Sequence, residues 1–458
     1  MNIRTSLACR GFKRHKAPPA SALAILLLVA AVGLVVARAN SAQSQSRMQS
    51  RGFLAMDQLA HTTAAPQEAP TGFDNESNGL VDPLAHGQDR AEFDGVETAE
   101  DGLGPVYNAQ ACRECHQSPV SGSVSQVTEL RVGRVNRFGQ FENPDVTIGN
   151  GAAVIANRSL INDRAICPTG EFPDAEVQEH APDNMNVRTL RSSLNTLGDG
   201  YVEAIASSTI LHFATKQCTT FGDGVCGQAT FVPVLEAPGQ MRVGRFGWKN
   251  QHASLLSFSA DAYLNEMGIT STLLPEEVAK LCDNVADPED RAEAGEIADV
   301  ERFARFMRAT KAPARDANLA ATFDARLGEQ LFDKIGCETC HVPTIVTAPP
   351  GSVINGGAFV VPDALGNKII HPYSDFLLHN VGTGDGIVQN GGPLTANKLR
   401  TPPLWGVRLR SRLMHDHHAL TFNEAILRHG GEATGAAVRY RFLTDQERQQ
   451  IVTFLKSL

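Results

Sequence analysis

Apolar residues recur at helical spacing in three places along the chain. Leu327, Leu331 and Ile335 fall on one stripe, with Gly328 and Phe332 on the adjoining face. Ile451, Phe454, Leu455 and Leu458 follow the capping-box sequence Thr444-Asp445-Gln446-Glu447, so the pattern predicts a C-terminal helix. Ile297, Val300, Ala304 and Met307 predict another, and Lys311-Ala312-Pro313-Ala314 after it reads as a linker. Residues 120–245 are rich in Val, Thr and Gly, which predicts short strands or long loops. Near the start, Leu23 to Val36 is an uncharged apolar run. It is preceded by Arg4, Arg10, Lys13, Arg14 and Lys16 and followed by Ala37-Arg38-Ala39. That order predicts an exported protein with a cleaved signal peptide over residues 1–39; an uncleaved anchor is the other reading. Residues 40–71, rich in Ser, Gln, Ala and Pro, predict a flexible leader.

The chemistry sits where the stripes end. The Ile335 stripe runs into Cys337-Glu338-Thr339-Cys340-His341, and the same spacing stands at Cys112-Arg113-Glu114-Cys115-His116. Two thiols separated by two residues can add to the two vinyl groups on one edge of a porphyrin, and the next imidazole then reaches the iron. The pattern implies two covalently bound haem c groups, with His116 and His341 as metal ligands and Cys112, Cys115, Cys337 and Cys340 as attachment points. A zinc or redox CxxC is the competing reading, but zinc usually needs a second ligand pair nearby and redox chemistry needs no following His. The expected fold is mainly α, with two cytochrome c-type haem domains. The first, residues 72–310, is enlarged by a loop and short-strand insertion; the second is residues 311–458.

Composition narrows the picture. Nine cysteines include Cys9 in the expected signal peptide and the four above. Cys167, Cys218, Cys226 and Cys282 remain, an even number that suits two disulfides in an oxidising compartment. Three pairings are possible; a turn at Gly222-Asp223-Gly224 favours Cys218–Cys226, leaving Cys167–Cys282, with free thiols the alternative. Loss of residues 1–39 removes six basic and no acidic side chains, moving the formal charge from −9 to −15. That excludes nucleic acid as a natural partner and suits a basic electron-donor protein. Asp74-Asn75-Glu76-Ser77-Asn78-Gly79 is oxygen-rich, either a Ca2+ site or a plain polar loop.

Several further stretches carry a resemblance: Gly102-Leu103-Gly104-Pro105-Val106-Tyr107-Asn108, Arg245-Phe246-Gly247-Trp248-Lys249, Glu266-Met267-Gly268-Ile269-Thr270, Arg400-Thr401-Pro402-Pro403-Leu404-Trp405 and Ala425-Ile426-Leu427-Arg428-His429-Gly430-Gly431. With the two haem motifs they resemble the di-haem oxidoreductase, putative peroxidase family, related to bacterial di-haem cytochrome c peroxidases. The resemblance implies peroxide, or another small oxidant, activated at the N-terminal haem and an electron relayed from the C-terminal haem. It implies Trp248 as the bridge between them and Glu266 as the catalytic acid–base residue. The Asp-Gly-Arg that follows the Trp in relatives is missing here. His429 takes the place of the second haem's sixth ligand, with Met414 the Met alternative. For the first haem, His180, His212, His252 or an open position would complete the set. A small cytochrome or cupredoxin would donate electrons. The alternative function is a non-catalytic di-haem electron-transfer cytochrome. Val187 to Leu194 and Leu399 to Leu404 echo each other in matching order after each motif.

Overall fold

Side-chain caps decide where the helices begin. The computed structural model describes residues 53–54, 57–61, 64–220, 224–292 and 295–458; the expected signal segment lies outside them. Thr322 caps the helix Phe323–Lys334 by accepting from the Ala325 amide, and Thr444 caps Asp445–Ser457 in a reciprocal box with Glu447. The two helices pack together, Phe332 against Phe454 with ring centroids 5.2 Å apart. Gly328 lies at the crossing, where a Cβ would stand 2.0 Å from the Gln450 carbonyl oxygen. The fully buried face is therefore Ala325, Gly328, Phe332 and Ile335, turned slightly from the Leu327–Leu331 stripe. Backbones close up where no side chain intervenes, and the helix rotates to present that line.

The first half is arranged similarly. The helix Asp299–Ala309 buries Val300, Phe303, Ala304, Phe306 and Met307. Its first amides are met by Asp290, which accepts from Asp299 at 2.8 Å and Val300 at 3.1 Å. It packs against Pro83–Asp94, a helix the apolar spacing did not predict. That helix starts at Asp82, whose carboxylate accepts from Leu84 and Ala85, with Pro83 in the first position. Phe93 meets Phe306 at 4.7 Å, and the buried Asp89 accepts two bonds of 2.6 Å from Arg305.

The expectation of a mainly α fold is corrected here. Helix makes up 31% and strand 16%, so the fold is mixed α and β. Thr128–Val135 pairs antiparallel with Val187–Ser192, and Leu160–Ile161 and Phe141–Glu142 complete a four-stranded sheet. In the C-terminal half, Lys368–Ile370 pairs antiparallel with Ile345–Val346 and parallel with Gln67–Glu68. That pairing ties in part of the stretch expected to be a leader. The physical reason is backbone accounting: long loops around a cavity must satisfy their amides, and ladders of two to six residues do so where no helix can form. Asp74 and Glu76 each lie 2.8 Å from the Lys311 ammonium, so this loop's carboxylates hold a side-chain cation.

Residues 53–458 form one compact unit. A core cluster runs from Ala69 to Trp405, drawing on both sides of the expected linker. Phe332, Tyr373, Tyr440 and Phe454 form a second cluster beside the second haem motif. A third lies around the four-stranded sheet and includes the Cys167–Cys282 disulfide; Cys218–Cys226 is the other disulfide, as the turn favoured. Among the described residues no helix is long and apolar enough to cross a membrane.

Candidate functional site

At the second motif, Gly336 leaves the helix with φ +90° and turns the chain into the short 3-10 segment Cys337–Thr339. Both thiols are unpaired and partly buried. His341 donates from Nδ1 to the Tyr373 carbonyl at 3.0 Å, and the Tyr373 hydroxyl is fixed by Glu329 at 2.6 Å. His429, just past the helix Phe422–Leu427, donates from Nδ1 to Ala425 at 2.8 Å. In each ring the backbone bond leaves Nε2 as the open nitrogen, the arrangement expected of an imidazole that holds a metal. His341 and His429 line the same cavity of about 590 Å³. Burial, then the neighbouring His429, pushes His341 down to about 4, and burial lowers His429 as well, so both rings are neutral and ready to ligate. Met414 also lines this cavity.

His379 was not anticipated. It is buried between Asp375 on Nε2 at 2.9 Å and Glu432 on Nδ1 at 2.8 Å, with Cys340 Sγ 3.8 Å away. Burial is the largest single influence and opposes its charge, but Asp375 and Cys340 together outweigh it and raise the ring's proton affinity well above the ordinary value. Glu432 also accepts the Cys226 amide, so the Cys218–Cys226 disulfide is latched beside the second motif.

At the first motif, Cys112–Cys115 forms a single helical turn and Arg164 pairs with Glu114 at 2.9 Å. His116 packs near Phe93 at 6.3 Å, and burial pushes it down to about 4. Its Nδ1 is buried with no partner. Glu266 lies in a π-helical turn, Tyr263–Met267, a geometry that often marks functional positions. Asn108 donates to the Glu266 carboxylate at 2.7 Å, and its backbone amide donates to the Glu266 carbonyl at 2.7 Å. Burial and the adjacent Glu129 push Glu266 up to about 8. Glu129 is held ionised by Arg131, 2.6 Å away, against the cost of its burial. Two neighbouring carboxylates thus carry opposite protonation states at neutral pH. Burial and then the Glu266 charge push the Cys115 thiol up to about 12, which places this acid beside the first motif. Of the other histidines, His180 and His212 are exposed and His252 pairs with Asp261 at 3.2 Å.

Trp248 stands on the wall of the cavity that His341 and His429 line. Its Nε1 donates to Ser192 at 2.8 Å and its carbonyl accepts from the Arg400 amide at 2.8 Å. Those partners lie within the two echoing stretches, so each half of the chain grips the indole residue from one side. His415 meets it edge-on at 5.9 Å. Sequence reasoning missed Glu129 and Arg131 as well as His379. The alternation Glu129-Leu130-Arg131 was the available signal, since on a strand it points both polar side chains to one face.

The residues around the second motif fit a haem, and Cys112, Cys115 and His116 offer the same donor set at the first motif. The large cavity has paired cysteines at one edge and two open imidazole nitrogens within it. The indole Nε1 of Trp405, 6% exposed, is a buried donor without a partner on the cavity wall. Such a donor suits a cofactor that brings its own acceptors.

A family model described as "Di-haem oxidoreductase, putative peroxidase" matches residues 131–458. This span holds Trp248, Glu266, the second motif and His429; the first motif lies ahead of it. No curated protein matches the chain. Among solved structures, hydrazine synthase of Kuenenia stuttgartiensis matches at 14% identity over 87% of this chain and 98% of that one, with TM-score 0.35. The diheme peroxidase BthA of Burkholderia thailandensis matches at 12% identity over 88% and 93%, with TM-score 0.31. A MauG-like protein associated with microbial copper homeostasis matches at 22% identity over 35% and 52%, with TM-score 0.24. At these scores the three likenesses carry no functional argument. The family model covers well over half of the chain, and with it the chain belongs to the di-haem oxidoreductase family, as an oxidoreductase with haem cofactors.

Proposed function

We propose that this protein is an exported di-haem c-type oxidoreductase that reduces hydrogen peroxide at its N-terminal haem. Cys112 and Cys115 tether one haem through thioether bonds, and Cys337 and Cys340 tether the other. His116 would hold the first iron, and His341 and His429 would hold the second, which suits electron storage rather than substrate binding. Two electrons and two protons convert one hydrogen peroxide into two waters. Haem iron supplies the redox centre and the coordination position at which peroxide is received.

The chain's own residues supply the protons and the placement. Glu266 is held by Asn108 and kept protonated by Glu129, so it can hand a proton to the departing oxygen. Arg131 keeps Glu129 ionised and thereby sustains that proton affinity. Trp248, gripped by Ser192 and Arg400, stands on the wall of the second cavity as the electron bridge. The acidic net charge suits a basic small cytochrome or cupredoxin as donor. The observation that carries the reading is the Glu266–Glu129 pair beside Cys115, because a non-catalytic carrier has no need of a split carboxyl pair at one haem.

Electron paramagnetic resonance on the half-reduced holoprotein, before and after peroxide, tests this. The expected result is a high-spin ferric signal from the first haem that peroxide consumes, with two electrons used per peroxide. Two low-spin signals indifferent to peroxide would make the protein an electron carrier.

A further inference from the structure

Arg410 is a cation without a counter-ion. Its side chain lines the 590 Å³ cavity of the second motif. It also lines a smaller outer pocket of about 470 Å³. Its Nη2 donates to the Ser193 carbonyl at 3.0 Å. Among the described residues no Asp or Glu forms an ion pair with it, and burial alone pushes it down to about 10. The outer pocket shows the same one-sidedness. Gln117, Gln126, Ser411, Arg412 and His417 are among its walls and no carboxylate is, in a chain of formal charge −9.

A guanidinium in such a place needs an anion, because removing an unpaired charge from water is costly and a carboxylate matches its fork in two bonds. Each haem brings two propionates. The position of Arg410 is also central. Ser193, which it holds, stands between Ser192, the acceptor of the Trp248 indole, and Leu194 on the cavity wall. The outer pocket that Arg410 lines also takes in Gln117 and Ser118, which directly follow His116.

We propose that Arg410 is the carboxylate receptor shared by the two haem sites, pairing with a haem propionate and holding both haem potentials up. This rests on the two-haem reading above. The physics is simple. Reduction removes one positive charge from the iron site, so a nearby fixed cation favours the reduced form. A propionate left unpaired acts in the opposite sense. Arg410 is a positioning residue in this account and takes no part in bond making.

The test is a spectroelectrochemical titration of the holoprotein, with haem content measured first. Fewer than two haems per wild-type chain would end the reading beneath the proposal. With two haems present, Arg410→Met should lower both midpoint potentials, each by about tenfold in the reduction equilibrium, or about 59 mV for one electron. Arg412→Met, on the outer pocket, should move them much less. Unchanged potentials in Arg410→Met, or a shift confined to one haem, would overturn the proposal.

The same fork could instead be filled by a free small carboxylate entering from the outer pocket. Acetate added to wild type separates the two sources. The expected result is no movement of either potential. A saturable shift that Arg410→Met abolishes would assign the partner to solution and overturn the propionate pairing. If Arg410→Met does not fold, Arg410→Lys keeps the charge and loses the fork. It should leave the potentials near wild type while shifting the propionate bending bands in resonance Raman. Unchanged bands would again overturn the proposal.

Discussion

If the chain reduces peroxide as proposed, Glu266 is the acid on which turnover depends, and its protonation gives a sharp prediction. An ordinary glutamic acid would be about 0.3% protonated at pH 7, whereas one at about 8 is roughly 90% protonated. The difference, a few hundredfold in available acid, comes first from burial and then from Glu129. Arg131 and Arg158 act against it, and Asn108 stabilises the ionised form. Glu266→Gln keeps the shape and an amide that can still meet Asn108, but it has no proton to give. Turnover should fall by about 10² to 10⁴, the usual worth of a placed acid, or roughly 3–5 kcal/mol of barrier. The second haem's spectrum should not change. The assay is steady-state peroxide consumption by the holoprotein with a reduced small cytochrome, from pH 5 to 10. Wild-type kcat/KM should be flat on the acid side and fall above about pH 8, because the active form is the protonated one. Glu129→Gln removes the like charge and frees Arg131 to attract Glu266, so the alkaline limb should move acidward by at least about one unit, or ~1.4 kcal/mol. A Glu266→Gln variant with more than a third of wild-type turnover, or a limb that ignores Glu129→Gln, would refute the assignment.

Three further outcomes are expected. His429→Ala should convert the second haem from low-spin to high-spin in the ferric optical spectrum, and His429→Met should raise its midpoint potential while keeping it low-spin. Gly328→Ala should destabilise the C-terminal half by about 3 kcal/mol or more, read by thermal melting, because its Cβ would stand 2.0 Å from a backbone oxygen that no rotamer change can move. Opening the Cys167–Cys282 disulfide, which spans 115 residues, should cost about 5 kcal/mol in the same assay, against about 2.5 kcal/mol for Cys218–Cys226 across 8.

The two Cys-x-x-Cys-His motifs, the Asp299–Ala309 and Asp445–Ser457 helices and the Cys218–Cys226 disulfide were legible because each is a local pattern, and Cys167–Cys282 followed by elimination. A motif of five residues or an apolar period of four is written in neighbouring letters. The helix Pro83–Asp94 escaped because its buried side chains are His86, Asp89 and Phe93, so two of three read as surface. Asp89 goes inside only because Arg305, more than two hundred positions later, comes to meet it. The strands outside residues 120–245 escaped for a related reason. Gln67–Glu68 and Lys368–Ile370 pair across three hundred residues with two residues in register, too few to leave an alternation. Likewise His379 looks like any polar histidine until Asp375 and Glu432 close on it.

Trp248 shows how a local departure can be made good at a distance. The Asp-Gly-Arg expected after it is absent, and Lys249 stands in the next position. A lone lysine there would be costly, since its ammonium is fully buried. Yet Lys249 Nζ is met by Asp385 at 2.8 Å and by the carbonyls of Thr395, Ala396 and Lys398 at 3.0, 2.8 and 2.8 Å. The missing acid is therefore supplied from a loop some 140 residues away, and Arg191 shares it at 2.7 Å. Arg191 directly precedes Ser192, the acceptor of the indole N–H. One buried carboxylate thus ties the residue after the tryptophan to the residue before its acceptor. The bridging role proposed for Trp248 needs a side chain fixed in place more than a reactive one, and here a charge pair does the fixing from both sides.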